Sequence, residues 1–267
     1  MKLHCLGTAG YHPNEQRQTS CYFIPERSLL LDAGSGLFRI RDLICTSELD
    51  VLLSHAHLDH VVGLTFLLDV VATTPLRKIR VHGDEKKLEA IRQHLFAPLI
   101  FPILPPIEWH PFQSEHGKRI INDAVVHWFP LEHPGDSLGY CIDFSETQLA
   151  FVTDTHARDH SNYWSEIRDV PWLLHECNCL DDQLEFAERI GHSTPTRAIL
   201  GARNAGISKL LLTHFDPIQE GAIREQILQV SQSVPHMHVH CVEDGEAISL
   251  VSDIARPAIR SVSEGQA

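Results

Sequence analysis

The sequence predicts a mixed α/β or α+β fold of packed layers, and two features support this. Short apolar runs rich in β-forming residues recur along the chain, and segments with helix start and stop signals lie between some of them. No low-complexity linker or short-period repeat interrupts the chain, so we expect one domain over residues 1–267. The predicted strands are Leu29–Leu31, Val51–Leu53, Val125–Trp128, Leu149–Val152, Trp172–Leu174 and Leu210–Leu212.

The first predicted helix follows Asp84, which can cap its amino end. Apolar residues then recur at helical spacing on one face, at Leu88, Ile91 and Leu95. Residues 96–112 contain five prolines among apolar groups, so they can form neither a regular helix nor a central strand. We expect this segment to be a covering loop, and whether it forms a substrate-pocket wall, a lid or a dimer contact stays open.

Two later helices have proline at or near their first turn. Thr194 and Pro195 open one of them, and Gly206 would close it. Asp216 and Pro217 would open the other, with three side chains facing the core, namely Ile218, Ala222 and Ile223.

Acidic residues outnumber basic ones, with 35 Asp and Glu against 22 Lys and Arg, for a formal net charge of −13. Such a surface repels polyanions on average, which argues against non-specific nucleic-acid binding. A basic stretch within residues 77–92 is a local exception. The 19 histidines among 267 residues are more unusual and suggest metal chemistry.

The seven cysteines are odd in number and scattered, which is typical of a reducing compartment. The amino-terminal segment has no apolar signal region, and no apolar run approaches the roughly 20 residues that span a bilayer. We therefore expect a cytoplasmic protein.

The strongest functional motif is His-x-His-x-Asp-His at residues 55–60, directly after a predicted strand. In an extended stretch His55, His57 and Asp59 point to one side, and His60 turns in where a helix begins. Three imidazoles and a carboxylate this close form a set of ligands for Zn²⁺ or a similar cation. Chance would produce the pattern in roughly 0.6% of chains of this composition.

Further ligand candidates follow other predicted strands. Asp154 and His214 each come directly after an apolar run, and His133 follows another strand-like stretch. His175 and Glu176 also end a run. Side chains beyond the carboxyl ends of several strands converge in open α/β sheets, so we expect one shared site.

On these residues the chain resembles the metallo-β-lactamase superfamily, whose hallmark is the motif at 55–60. The resemblance implies a four-layer αβ/βα sandwich with two divalent metal ions, zinc in the first instance and manganese or iron as alternatives. By position, one ion would be held by His55, His57 and His133. The second would be held by Asp59, His60 and His214, with Asp154 bridging the two.

Within the superfamily the chain is most similar to the ribonuclease Z branch. The similarity rests on the order of short motifs along the chain, which are Gly139-Tyr140, Asp154-Thr155, His175-Glu176, His192-Ser193-Thr194 and Thr213-His214. It implies that Glu176 and His192 assist proton transfer to the leaving group. The short stretch between Tyr140 and Asp154 lacks the long arm with which bacterial ribonuclease Z grips tRNA.

We therefore expect a metal-dependent hydrolase, in the first instance a phosphodiesterase that acts on a small-molecule or single-stranded substrate. Two cations about 3.5–4 Å apart lower the pKa of a shared water toward 7, which provides a bridging hydroxide. Asp59 would orient this hydroxide, and Glu176 and His192 would serve the leaving oxygen.

Several alternatives stay open. One is a tRNA 3′-processing endoribonuclease whose grip comes from residues 77–92 or from the second subunit of an expected homodimer. Another is a hydrolase of lactones, thioesters or arylsulfates on the same fold. A different class is an iron-binding redox or sensor protein. We expect no membrane partner.

Overall fold

Two seven-stranded sheets form the frame of the protein, as shown by a computed structural model that describes residues 1–250. The expected domain boundary at residue 267 lies outside the described residues. In chain order the strands are β1 (Lys2–Gly7), β2 (Cys21–Ile24), β3 (Leu29–Leu31), β4 (Glu48–Leu52), β5 (Lys78–Asp84), β6 (Ile107–Phe112), β7 (Gly117–Ile121), β8 (Ala124–Leu131), β9 (Ser137–Asp143), β10 (Gln148–Val152), β11 (Trp172–Glu176), β12 (Lys209–Thr213), β13 (His238–Cys241) and β14 (Ala247–Ser249).

The two sheets have related layouts. The first has the order β14-β1-β2-β3-β4-β5-β6 and the second the order β13-β12-β11-β10-β9-β8-β7. In each sheet four neighbouring strands are parallel, β3 to β6 in the first and β10 to β13 in the second. Each of the six predicted strands lies in or overlaps an observed strand.

The helices cover the outer faces of the sheets. They are α1 (Leu58–Val61), α2 (Leu67–Thr73), α3 (Glu85–Ala90), α4 (Tyr163–Glu166), α5 (Leu184–Ile190), α6 (Pro195–Asn204) and α7 (Glu220–Ser231). Short 3-10 turns span Pro25–Arg27, Ser35–Asp42, Val62–Phe66 and Asp181–Gln183, and a π-helical turn spans Ile91–Leu95.

Three apolar clusters define the layers. One lies between the sheets and includes Tyr22 and Phe151, whose ring centroids are 5.6 Å apart. A second packs α4, α6 and α7 on the outer face of the second sheet, and a third packs α2 and α3 on the outer face of the first. The result is the four-layer αβ/βα sandwich that was expected, arranged as a single domain.

Local signals explain two of the helices. The Asp84 side chain accepts a hydrogen bond from the Lys87 backbone N–H at 3.1 Å, which caps α3 as predicted. Pro195 occupies the first position of α6, and Gly206, with a φ of 79°, follows its carboxyl end. Glycine adopts this left-handed conformation without steric cost.

The predicted start of the third helix is wrong. The helix α7 begins at Glu220, and Asp216 instead closes a turn by accepting the Ile218 backbone N–H at 2.9 Å. Ile218 is 82% exposed and Ala222 is also exposed, whereas Ile223 alone of the three predicted core residues is buried.

Two further expectations need correction. Residues 107–112 of the expected loop form β6, an edge strand, where Pro111 is tolerated because an edge position does not need its N–H. Asp59 lies in the first turn of α1 rather than in an extended stretch, because the chain turns into the helix directly after His57. No helix within residues 1–250 is long and apolar enough to cross a membrane.

Candidate metal centre and active site

The predicted ligands meet at one edge of the sandwich. His55 and His57 lie in the turn after β4, and Asp59 and His60 lie in α1. His133, Asp154 and His214 follow β8, β10 and β12, respectively. Because these connections leave their strands at the same edge, residues up to 159 positions apart in sequence become neighbours.

Four side chains form the first donor group. His55 Nε2 lies 3.5 Å and His133 Nε2 lies 3.6 Å from Asp154 Oδ2. His57 Nδ1 lies 3.3 Å from His133 Nε2. The group is largely buried, since the side chains of His55, His133 and Asp154 are at most 3% exposed.

The second donor group lies on the other side of Asp154. His60 Nε2 and His214 Nε2 are 3.1 Å apart, and each lies 3.3 Å from Asp59 Oδ2. Asp154 Oδ1 lies 3.4 Å from His60 Nε2 and 3.2 Å from His214 Nε2. The two carboxylate oxygens of Asp154 therefore face different groups.

These separations fit divalent cations. Tetrahedral ligands at about 2.0–2.1 Å from a Zn²⁺ ion lie about 3.3–3.4 Å from one another, and the donor atoms here are 3.1–3.6 Å apart. His55 Nε2 is buried and has no hydrogen-bond partner within residues 1–250. A buried nitrogen without a partner is costly unless a ligand occupies its lone pair, so the His/Asp cluster is suited to divalent metal ions.

Hydrogen bonds orient the imidazole rings. His60 Nδ1 donates to Asp32 Oδ2 at 2.6 Å, and His133 Nδ1 donates to the Gly191 carbonyl at 2.9 Å. His55 Nδ1 donates to Ser54 Oγ at 3.0 Å. With Nδ1 fixed by these bonds, each ring directs Nε2 toward the centre, as metal-binding histidines do.

The protonation states also suit metal binding. Burial lowers the pKa of His55 and of His57, and it lowers the pKa of His133 to about 4. Burial alone would raise the pKa of Asp59 and Asp154, but neighbouring His60 and His214 hold both well below the usual range. Neutral imidazoles and ionised carboxylates are the forms that bind metals.

His60 is the exception in the metal-free cluster. Burial alone would lower its pKa, but Asp154, Asp59 and Asp32 together raise that pKa well above the usual value. The three carboxylates create a strongly negative environment around one ring. A bound cation would meet the same attraction in place of the proton.

Several residues of this site have a left-handed backbone conformation. Tyr11, Asp32, Asp154 and His214 all have positive φ angles, between 47° and 64°. Residues other than glycine adopt this conformation at a cost of order 1–3 kcal/mol, and such residues cluster at functional sites. Position 10 requires glycine because the backbone there lies close to the His214 ring. A Cβ on Gly10 would be 2.7 Å from that ring.

Glu176 and His192 lie next to the donor groups. His192 Nδ1 donates to Glu176 Oε1 at 3.1 Å, and the His192 ring centroid lies 5.1 Å from that of His133 and 5.5 Å from that of His214. Burial alone would lower the pKa of His192, but Glu176 raises it to about 9. Because His192 Nδ1 is bound to Glu176, Nε2 is the ring nitrogen that faces the donor groups.

Glu176 also binds the backbone. Its carboxylate accepts N–H groups of Thr155 at 3.1 Å, Ser193 at 3.0 Å and Asn178 at 3.1 Å. The side chain is fully buried. Glu176 therefore joins three loops of the site while it orients His192.

The structure separates His175 from this site. The strand alternation of β11 turns its ring to the other side, where Tyr163 Oη lies 2.9 Å from His175 Nε2 and the Trp164 ring stacks on it. His175 is therefore a core residue and not a ligand.

Sequence reasoning missed three supporting groups. The Tyr11 backbone N–H donates to Asp59 Oδ2 at 2.9 Å, and Asn178 Nδ2 donates to the His214 carbonyl at 3.0 Å. The third group is Asp32, whose carboxylate holds the His60 ring. A backbone donor leaves no signal in the side-chain sequence, and Asp32 lies 28 positions from its partner.

The basic stretch at 77–92 is partly neutralised. Arg80 forms two hydrogen bonds with Asp50, at 2.8 and 2.7 Å, and a third with Glu48. Lys78 pairs with Glu108 at 3.3 Å and Arg92 with Glu89 at 2.8 Å, while Arg77 binds backbone carbonyls. Carboxylates therefore neutralise half of the six Lys and Arg side chains in this stretch.

The αβ/βα sandwich with its His/Asp cluster defines the class of a metal-dependent hydrolase. Residues 27–215 match the family described as the β-lactamase superfamily domain, and the chain belongs to this superfamily. The ribonuclease Z of Kineococcus radiotolerans is 25% identical over 96% of this chain and 98% of its own. Along nearly its whole length the chain is therefore similar to a protein named ribonuclease Z.

Solved structures show the same fold. The metallo-β-lactamase fold protein YhfI from Bacillus subtilis aligns with a TM-score of 0.76 and 20% identity over 93% of this chain and 99% of its own. Human tRNase Z, short form, aligns with a TM-score of 0.72 and 20% identity over 94% of this chain and 99% of its own.

Proposed function

We propose that the protein is a phosphodiesterase that works with two divalent metal ions, in the first instance zinc. The observation that carries the proposal is the His192–Glu176 pair beside two donor groups that share Asp154. A bridging carboxylate suits two cations, and a histidine next to them suits protonation of a leaving oxygen.

Seven side chains would hold the metal ions. One ion would lie among His55, His57 and His133, and the other among Asp59, His60 and His214, with Asp154 common to both. When bound, the ions supply Lewis-acid stabilisation of a phosphoryl oxygen and a water that ionises near neutral pH.

Asp59 and His192 have distinct roles in this proposal. Asp59 Oδ2 faces the second group and is fixed from behind by the Tyr11 backbone N–H, so this carboxylate can accept a hydrogen bond from the attacking water and orient it. His192, whose pKa Glu176 raises to about 9, is protonated at neutral pH and can donate from Nε2 to the leaving oxygen.

The substrate is in the first instance small or single-stranded. The chain passes from β9 to β10 through residues 144–147 alone, so this hairpin carries no arm for tRNA. The relatives named ribonuclease Z favour precursor tRNA as the second candidate, with the homodimer and its contribution to binding still a prediction.

A panel of substrates tests the proposal. Protein reconstituted separately with zinc, manganese or iron is assayed on bis(p-nitrophenyl) phosphate, a lactone, a thioester, an arylsulfate, single-stranded RNA and precursor tRNA. The phosphodiester should give the highest kcat/KM among the small substrates. His214→Ala should abolish this activity, and His127→Ala, an exposed histidine on β8, should not. A lactone or thioester hydrolysed tenfold faster than the phosphodiester would overturn the proposal.

A further inference from the structure

A groove of about 510 Å³ opens beside the metal centre, bounded by α3, α4 and the end of β8. Three of its lining residues, Ala56, Gly135 and Thr155, are direct or near sequence neighbours of predicted ligands. A Cβ built on Gly135 would lie 3.9 Å from His57 Nε2, so this wall adjoins the first donor group. The groove therefore adjoins the site along this wall, although none of the seven predicted ligands lines it.

Apolar side chains form the floor of the groove. Phe129, Leu131 and Tyr163 line it and are each at most 3% exposed. Thr155 also lines it and is fully buried, yet its hydroxyl has no hydrogen-bond partner among the residues that the structure describes. An apolar surface with a single unpartnered hydroxyl is typical of a pocket for a small organic group.

The rim of the groove is acidic. Five carboxylates line it, at Asp84, Glu115, Glu132, Asp136 and Glu166. The cations near them are fewer, at Lys86 and Lys87 in the lining and Arg158 paired with Glu132. The groove therefore has a net negative charge, like the chain as a whole.

We propose that this groove binds the non-reacting ester arm of the substrate, and that this arm is largely apolar and carries a positive charge. The inference rests on the proposed phosphodiesterase function. The phosphoryl group would lie at the metal centre, and the arm would extend past Gly135 between the aromatic floor and the acidic rim. A carboxylate rim attracts a cation and repels the next phosphate of a polynucleotide.

The charge pattern outside the groove agrees with this substrate class. In the basic stretch at 77–92, which includes the start of α3, three of the six Lys and Arg side chains, those of Lys78, Arg80 and Arg92, are paired with carboxylates. A polyanion entering the groove would meet five rim carboxylates, and only Lys86 and Lys87 of that stretch line the groove to offset them.

Binding of two isosteric alcohols tests the groove apart from catalysis. Choline and 3,3-dimethylbutan-1-ol differ in charge and have nearly the same shape, and neither is a strong metal ligand. Titration of the metal-loaded protein followed by NMR should show choline binding about three- to tenfold more tightly. Asp136→Asn/Glu166→Gln should remove this difference, and the exposed Glu225→Gln on α7 should retain it. Equal affinity for the two alcohols would overturn the inference.

Kinetics then connect the groove to the reaction. Three p-nitrophenyl phosphodiesters share one leaving group and carry a choline, a 3,3-dimethylbutyl or a 2-carboxyethyl arm. KM should rise in that order, with a span of about tenfold or more between the first and last. The lowest KM for the carboxyethyl arm would refute the inference. Hydrolysis of none of the three, with choline binding intact, would refute the phosphodiesterase function and leave the groove as a cation site.

Discussion

Replacement of His192 by alanine should reduce turnover most for substrates that need a proton on the leaving oxygen. The ring is fixed by its 3.1 Å hydrogen bond to Glu176, and its side chain is only 13% exposed. General acid catalysis contributes about 10²–10⁴-fold, which corresponds to about 2.7–5.5 kcal/mol of transition-state stabilisation at 1.36 kcal/mol per tenfold. We expect a loss of that size for an alkyl leaving group.

The assay compares leaving groups on the same metal-loaded protein. The loss for p-nitrophenolate should be less than about tenfold, since this group leaves without protonation. Metal content should be unchanged, because His192 is outside the predicted ligand set. The exposed His127→Ala variant is the matched control for histidine removal.

Glu176→Gln should act in the same direction with an added loss of stability. Three backbone N–H groups point at this buried carboxylate, and the amide of glutamine would present a donor to one of them. One unsatisfied buried group costs about 1–3 kcal/mol, which lowers the Tm of a domain of this size by roughly 2–10 °C. The double variant with His192→Ala should be less than additive in turnover. Equal losses for good and poor leaving groups would refute the proton-transfer role and favour a purely structural pair.

Three further predictions concern the ligands and the frame. Asp59→Ala should abolish turnover, and circular dichroism should show that the fold is intact. Activity within tenfold of the parent would show that Asp59 is dispensable. Asp32→Asn should weaken metal affinity about 10–100-fold by metal titration, because Asp32 orients His60. Asp50→Ala should cost about 3 kcal/mol in urea unfolding, because Arg80 keeps only Glu48 and the buried His82 loses its carboxylate partner. Burial alone would raise the pKa of Asp50, but Arg80 holds that pKa well below its usual range. The stabilisation by Asp50 should therefore be present at neutral pH and be lost as the pH falls below about 4. An unchanged urea midpoint for Asp50→Ala would contradict this prediction.

The strands and the donor positions could be predicted because each has a local signal. A run such as Leu210–Leu212 is short, apolar and ends in a ligand candidate, and β12 contains it. The motif at 55–60 encodes four donors in six residues. The predicted start of α7 was wrong because the capping side chain of Asp216 is used within a turn instead. The burial of Ile223 shows where the helix packs.

The environment of the donors could not be predicted, since it depends on contacts distant in sequence. The bond from Asp32 to His60 and the Gly191 carbonyl that orients His133 join different elements. The left-handed conformation of Asp154 and His214 is imposed by tertiary structure against their own preference. The acidic groove likewise combines residues from α3, α4 and the end of β8, and no single segment reveals it.

The most direct test of the two-metal centre is the number of metal ions bound per chain. Elemental analysis of protein reconstituted with excess zinc and then desalted should approach two equivalents, because Asp154 presents one oxygen to each donor group. His214→Ala should reduce this value toward one, while His127→Ala should leave it at two. Saturation at one equivalent in the parent, with His214→Ala binding the same amount, would contradict the account.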